Sequence, residues 1–332
     1  MMDALFPEGL MRAIRIHEVG GPEAMRLEDI QLPPPGPGEA RVRHRAIGLN
    51  YIDVYYRTGL YPSPSPFTPG SEGAGDVVAV GRGVKDFKLG DRVAYVTRTG
   101  AYAEEANIQT KLLVRLPKAI SYETAAASML KGLTAQYLLR QTYRVKKGDV
   151  ILVHAAAGGV GLILCQWGKA LGATVIGTVG SPEKAALAKK AGAAHAILYR
   201  EEDFVARVAE ITKGAKCHVV YDGVGKATFP GSLDCLRPFG VFASYGSASG
   251  PIESFNIGLL AQKGSLFATR PTLFAFLADR TRYERMARDL FSVLRSGAVK
   301  VKIGAKLPLA EASRAHAALE ARETAGSTVL TP

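Results

Sequence analysis

The residues placed to do chemistry in this chain are small ones. Ala155-Ala156-Ala157-Gly158-Gly159-Val160-Gly161 follows directly on the β-branched run Val150-Ile151-Leu152-Val153-His154. A turn without bulky side chains lets backbone N–H groups close on an anion. At a strand-to-helix turn that anion is usually a phosphate at the helix N-terminus. Ala155-x-x-Gly158-x-x-Gly161 is a variant of the dinucleotide fingerprint with alanine in first place. The next apolar run ends in Val179-Gly180-Ser181. No Asp or Glu stands at that tip, where an NAD site places an acid for the adenosine ribose. Lys184 lies one turn further on, and Tyr199-Arg200 closes a third apolar run. The missing acid and the adjacent cation predict NADPH, with Gly180, Ser181, Lys184 and Tyr199 around its 2′-phosphate. No general acid, base or metal cluster stands out. Cys165, Cys217 and Cys235 form no C-x-x-C pair, and none of the six histidines falls at a ligand or triad spacing.

The elements that must position this turn alternate regularly. Strands are expected at residues 150–154, 173–179, 195–199, 218–222 and 241–245, with a sixth at 264–269. Helices are expected between them, at residues 162–171, 182–191, 203–212 and 232–236. Ser181-Pro182-Glu183 carries an N-cap, a proline at the first helical position and an acid in the first turn. Strands alternating with helices through short loops make an α/β, doubly wound parallel sheet of the Rossmann type. Residues 150–168 are almost free of charge and long enough to suggest a membrane span. Gly158-Gly159 in the middle and the strand that follows at once exclude that reading.

A chain of 332 residues accommodates two domains, and its 47% hydrophobic and 22% charged residues suit a globular protein. Three unpaired cysteines and no evident signal peptide point to a reducing, cytoplasmic setting. The net charge of +12 permits nucleic-acid binding. However, the Lys and Arg residues are scattered, without an arginine-rich tract or an aromatic platform, so a solvated basic surface that attracts an anionic cofactor is expected instead.

Before the nucleotide half, residues 1–10 read as an appendage. An all-β region follows from Met11 to about Val114, with strands expected at 11–16, 40–47, 76–80 and 91–96. Helices are expected from Ser121 and over residues 134–143. A charged amphipathic helix is expected over 281–296, and residues 306–309 with a helix over 310–321 read as a return to the first domain. The expected division is 1–132 with 267–332 for the β-rich domain and 133–266 for the nucleotide domain, with the active cleft between them.

Several motifs in this order resemble the zinc-free quinone oxidoreductases of the medium-chain dehydrogenase/reductase superfamily, the group that includes ζ-crystallin. They are Leu49-Asn50-Tyr51-Ile52-Asp53 with Tyr55 and Gly59-Leu60-Tyr61; Pro69-Gly70-Ser71-Glu72-Gly73; Ala126-Ala127-Ser128 with Leu130-Lys131-Gly132; the 155–161 turn; and Thr269-Arg270-Pro271. The resemblance implies a GroES-like β-rich catalytic domain beside the Rossmann domain, and a homodimer paired through the nucleotide domains' edge strands. It places Tyr137, Gly158, Gly159, Val160, Tyr245, Gly246, Ser247, Thr269 and Arg322 on the cofactor. It places Asn50, Tyr55, Tyr61 and Arg270 around a quinone or other electrophilic acceptor, as donors to an oxygen that gains negative charge. The zinc alcohol dehydrogenases carry a cysteine in the first motif and a His-Glu pair in the second; here stand Asn50, Asp53 and Ser71-Glu72. Metal-free hydride transfer from NADPH is the implied chemistry. Reduction of an enal or enone double bond is the alternative within the enzyme class, and an RNA-binding, ζ-crystallin-like role the alternative outside it.

Overall fold

Residues 10–332 are described by a computed structural model of the protein; the appendage read at residues 1–10 lies, except for Leu10, outside the described residues. Alternation of apolar and polar side chains builds the first unit. β1 (Leu10–Ile16) pairs antiparallel with β2 (Met25–Gln31). β3 (Glu39–Leu49) is the central strand of a larger sheet with β4 (Glu72–Val80), β5 (Arg92–Val96), β6 (Glu105–Gln109) and β7 (Leu113–Arg115). Its eleven residues are long enough to pair with β6 at one end and β4 along its length. Val42, Ile47, Val77, Val93, Tyr95 and Tyr102 fill the interior of this unit. The short helix α1 (Tyr51–Arg57) leaves β3 directly, and α2 (Tyr122–Ala126) starts at Ser121, whose hydroxyl accepts from the Thr124 N–H. The helix start at Ser121 was expected, whereas no element was assigned to α1, whose seven residues are too short to show a period.

The second unit opens with α3 (Met129–Tyr137), which runs into a π-helical turn at Leu138–Thr142. The sheet then follows: β8 (Val150–Val153), α4 (Gly159–Ala170), β9 (Thr174–Val179), α5 (Pro182–Lys190), β10 (His195–Leu198), α6 (Phe204–Ile211), β11 (Cys217–Asp222), α7 (Gly231–Asp234), β12 (Leu236–Ser244), α8 (Gly258–Gln262) and β13 (Phe267–Thr269). All neighbouring strands are parallel, in the spatial order β10-β9-β8-β11-β12-β13. The strand order reverses between β8 and β11, which is where such sheets hold ligands at their carboxyl ends. Ile151, Leu152 and Val153 are fully buried, as a central parallel strand requires. Gly168 on α4 lets that helix settle onto the sheet, because a Cβ there would lie 2.9 Å from Ile151 Cδ1.

The second domain boundary differs from expectation. The chain divides into Met1–Leu130 with Val301–Pro332, and Lys131–Lys300, so residues 267–300 belong to the nucleotide unit. Physical links hold them there. β13 pairs with β12. After α9 (Leu273–Leu277), α10 (Arg280–Arg295) buries Tyr283, Met286, Ala287, Leu290 and Phe291 on one face. Leu290 sits against Gly132, Gln136 donates to Asp289 at 2.9 Å, and Gln166 exchanges two hydrogen bonds with the backbone of Lys300. The chain returns to the first unit through β14 (Ile303–Pro308), α11 (Ala312–Glu320) and β15 (Ser327–Thr331), and β15 pairs with β3. Among the described residues no helix is long and apolar enough to cross a membrane.

Candidate active site

The small-residue turn is built as its sequence requires. α4 begins at Gly158 with no side-chain cap among the described residues, so the first N–H groups of a twelve-residue helix point out of the turn. Ala155 adopts φ +52, a left-handed conformation that costs an L-residue about 1–2 kcal/mol, and the following turn over-determines it. The Ala156 N–H donates to the Thr178 carbonyl at 3.1 Å, tying the turn to β9. A Cβ on Gly161 would lie 2.3 Å from the Ala155 carbonyl oxygen. The turn is therefore close-packed behind and bare in front, which is the shape a diphosphate needs.

At the tip of β9, Gly180 is approached by Tyr199 and Arg200: a Cβ there would be 2.9 Å from the Tyr199 hydroxyl and 3.5 Å from Arg200 Nε. The Ser181 hydroxyl caps α5 by accepting from the Lys184 N–H, and it holds the Glu183 carboxyl below its usual range. A phenol, a guanidinium and a hydroxyl thus share one strand tip, with the Glu183 carboxyl held against the Ser181 hydroxyl and no acid at position 180 itself. That donor set fits the 2′-phosphate of NADPH. Gly246 approaches Gly223 so closely that a Cβ would meet its carbonyl oxygen at 2.5 Å. Arg270 donates to the Ser244 carbonyl at 3.0 Å, and so stands with Tyr245, Gly246 and Ser247 at the end of β12. Thr269 is exposed at the end of β13, and Tyr137 stacks on Phe276 with ring centroids 4.5 Å apart.

In the first unit the motif residues form one buried polar network. Asp53 accepts from the Asn50 backbone N–H at 2.9 Å, from Ser71 at 2.6 Å and from Tyr102 at 3.0 Å. Glu72 accepts from the Asn50 amide at 2.8 Å and from the Leu130 N–H at 2.6 Å. His316 touches the Tyr102 hydroxyl at 3.1 Å. Because that hydroxyl donates to Asp53, the imidazole donates from Nε2, and its buried Nδ1 has no partner among the described residues. Burial pushes the Tyr102 phenol well up and the His316 imidazole down to about 3. This corrects one expected role. The second amide hydrogen of Asn50 reaches the Gly48 carbonyl at 3.4 Å, so both are directed inward and Asn50 is not a donor to an acceptor oxygen.

Tyr55 and Tyr61 do meet, edge to face at 5.2 Å, and Tyr51 also packs edge to face on Tyr55 at 5.5 Å. Tyr55 itself is buried, whereas Tyr51 and Tyr61 are half-buried. Tyr51 was not among the expected site residues. Burial and then Glu320 raise its phenol, and Arg322 opposes them. Arg322 therefore belongs with the tyrosine cluster, and it holds φ +61 just past α11, a place glycine fills more cheaply. Arg57 beneath them is fully buried, paired to Glu320 and donating to the Gly20 carbonyl. Short-range sequence signals could not show this network, since His316 and Tyr102 stand 214 residues apart.

Comparison with known proteins now decides the family. Residues 36–149 match the alcohol dehydrogenase GroES-like domain and residues 159–292 the zinc-binding dehydrogenase family. A quinone oxidoreductase of Pseudomonas aeruginosa is 54% identical over 325 residues, covering 97% of this chain and all of that one. The chain belongs to the quinone oxidoreductases of the medium-chain dehydrogenase/reductase superfamily. The solved structure of the Escherichia coli quinone oxidoreductase complexed with NADPH matches with a TM-score of 0.95 at 50% identity, over 97% of this chain and 100% of that one. A 2-haloacrylate reductase of a Burkholderia species is 43% identical, over 97% of this chain and 99% of its own. The quinone oxidoreductase fold expected from the motifs, a Rossmann-type sheet with a GroES-like domain, is the fold observed.

Proposed function

We propose that this protein is an NADPH-dependent quinone oxidoreductase that transfers hydride without a metal ion. The observation that carries the cofactor is the approach of Tyr199 and Arg200 to Gly180, where no acid ends β9, with Ser181 and Lys184 following in the chain. NADPH, when bound, supplies the hydride from its nicotinamide. The N–H groups of Gly159 and Val160, above Gly158, hold the diphosphate, and the strand tip holds the 2′-phosphate. Tyr245, Gly246, Ser247 and Thr269 flank the nicotinamide side, and Tyr137 and Arg322 make further contacts. Tyr51, Tyr55 and Tyr61 form an aromatic wall on which a flat acceptor stacks. Of the acceptor residues, Tyr61 in the first unit offers a phenol and Arg270 in the nucleotide unit a guanidinium, each of a type that donates to an oxygen gaining charge. Asn50 acts by anchoring the start of α1 to Glu72.

Metal-free chemistry is supported by the donor set itself. Where a zinc site needs thiolate or imidazole, this chain has an amide, a hydroxyl and two carboxylates already saturated by one another and by backbone N–H groups. We infer a homodimer from the sheet edge: among the described residues β13 ends the six-stranded sheet, its Phe267 is 60% exposed, and Phe239 on the neighbouring β12 is 68% exposed. Sedimentation showing only monomer at micromolar concentration would contradict this. Three buried, unpaired cysteines favour the cytoplasm.

The direct test is oxidation of NADPH and NADH after chelator treatment, with 1,4-benzoquinone, 9,10-phenanthrenequinone and a small enal offered in parallel. Fast NADPH turnover with a quinone supports the proposal, and loss of turnover on chelation refutes its metal-free part. Preference for the enal would favour the second reading, reduction of an activated double bond. The 43% identity to a 2-haloacrylate reductase is the observation behind that reading.

A further inference from the structure

Behind the small-residue turn lies a buried polar chain that the chemistry above does not use. Asp222, fully buried at the end of β11, accepts from the N–H groups of Val224 at 2.8 Å and Gly225 at 3.0 Å. It also accepts from the hydroxyls of Thr228 at 2.7 Å and Ser232 at 2.9 Å. Ser232 touches His154 Nε2 at 3.0 Å, and His154 Nδ1 touches the Thr178 hydroxyl at 2.9 Å. His154 and Ser232 are fully buried and Thr178 nearly so. One arrangement of protons satisfies the whole chain: the Ser232 hydroxyl, which lies 2.9 Å from Asp222 and 3.1 Å from the Thr228 carbonyl, donates to one of these acceptors and receives the Nε2–H of His154. Nδ1 is then a lone pair that accepts from Thr178. Every member is satisfied, and burial lowers the imidazole pKa, which keeps His154 neutral.

The location gives this chain its meaning. His154 is the residue before Ala155, where the phosphate turn starts. Thr178 is two residues before Gly180, and its carbonyl receives the Ala156 N–H. The chain thus ties the end of β8 and the tip of β9 to the end of β11, below the two places assigned to the diphosphate and the 2′-phosphate. A change in spacing between those places costs nothing to a ligand that touches only one of them. It costs affinity for a ligand that spans both, because preorganisation is a property of the pair.

We propose that His154, with Thr178, Ser232 and Asp222, is a positioning relay that sets the distance between the phosphate turn and the 2′-phosphate tip. The proposal rests on the NADPH reading, and the experiment separates the two. Wild type, Thr178→Val, Ser232→Ala and Thr178→Ser are titrated with NADPH, with inorganic pyrophosphate, which reaches only the turn, and with adenosine 2′-monophosphate, which reaches only the tip. Thr178→Val and Ser232→Ala are expected to raise the NADPH dissociation constant about tenfold, the usual effect of leaving one buried hydrogen-bonding group open. Their fragment constants should change less than about twofold, and Thr178→Ser, which keeps the hydroxyl, should bind NADPH like wild type. Equal losses on NADPH and on both fragments would show local damage and overturn the proposal, as would unchanged NADPH binding. Failure of wild type to bind NADPH would refute the cofactor reading itself, and the relay with it.

Discussion

Gly161→Ala tests whether the turn before α4 works as a close-packed cradle. The added Cβ would stand 2.3 Å from the Ala155 carbonyl oxygen and 2.7 Å from Ala156 Cα. Ordinary contact begins near 3.4 Å, so the helix start and the turn must part by about an ångström, and both neighbours are backbone. Overpacking of this kind costs about 1–3 kcal/mol. If the displacement falls on the anion-binding N–H groups, the dissociation constant for NADPH rises about 5- to 150-fold. Gly158→Ala is the internal control. Its Cβ meets the same oxygen at 3.2 Å and its φ of −76° is open to any residue, so a shift of a few tenths of an ångström suffices and affinity should fall less than about threefold. Fluorescence titration with NADPH, alongside a thermal scan to show that both variants are folded, makes the comparison. A folded Gly161→Ala variant with wild-type affinity would refute the argument that backbone contact at this turn positions the phosphate.

Lys184→Ala should weaken NADPH about tenfold and leave NADH unchanged, as steady-state KM values for the two cofactors will reveal. Burial pushes the thiols of Cys165 and Cys217 up to about 12 and raises that of Cys235 also, so none should react with a disulfide reagent at pH 8 until the protein is unfolded. His44 is held down to about 4 and His316 to about 3, both by burial. The unfolded chain therefore binds protons below pH 6.5 that the folded chain refuses. Stability is full above that pH and falls by about 1.4 kcal/mol per pH unit for each histidine down to its folded pKa. Urea midpoints should drop between pH 7 and pH 5, and a flat profile would contradict the neutral burial of these rings. Arg57→Met strands Glu320 and removes a fully buried cation, costing about 3–5 kcal/mol in urea unfolding. Glu320→Gln should cost less, since that side chain is 33% exposed.

What the amino-acid sequence determined alone was local. The Ala155 to Gly161 spacing, the β-branched runs around it and the acid-free Gly180-Ser181 tip depend on neighbours a few residues away. So do the helix caps at Ser121 and Ser181, and each was legible. The nucleotide fold and its cofactor preference follow from such short-range chemistry. Elements lacking a period were not legible: α1, α8 and α9 are five to seven residues long. The second domain boundary also escaped, because residues 267–300 are assigned by a strand pairing and by the contact of Leu290 with Gly132, not by composition. Tertiary structure alone decided the roles of the polar residues. Asn50 looks like a donor in its motif, yet Glu72, 22 residues away, takes its amide. His154, His316 and Asp222 look like ordinary residues of strands and helices, and only folding brings their partners from Thr178, Tyr102 and Ser232. The reason is that a hydrogen bond is set by a few tenths of an ångström between atoms distant in the chain. No pattern of neighbouring residue types carries that information.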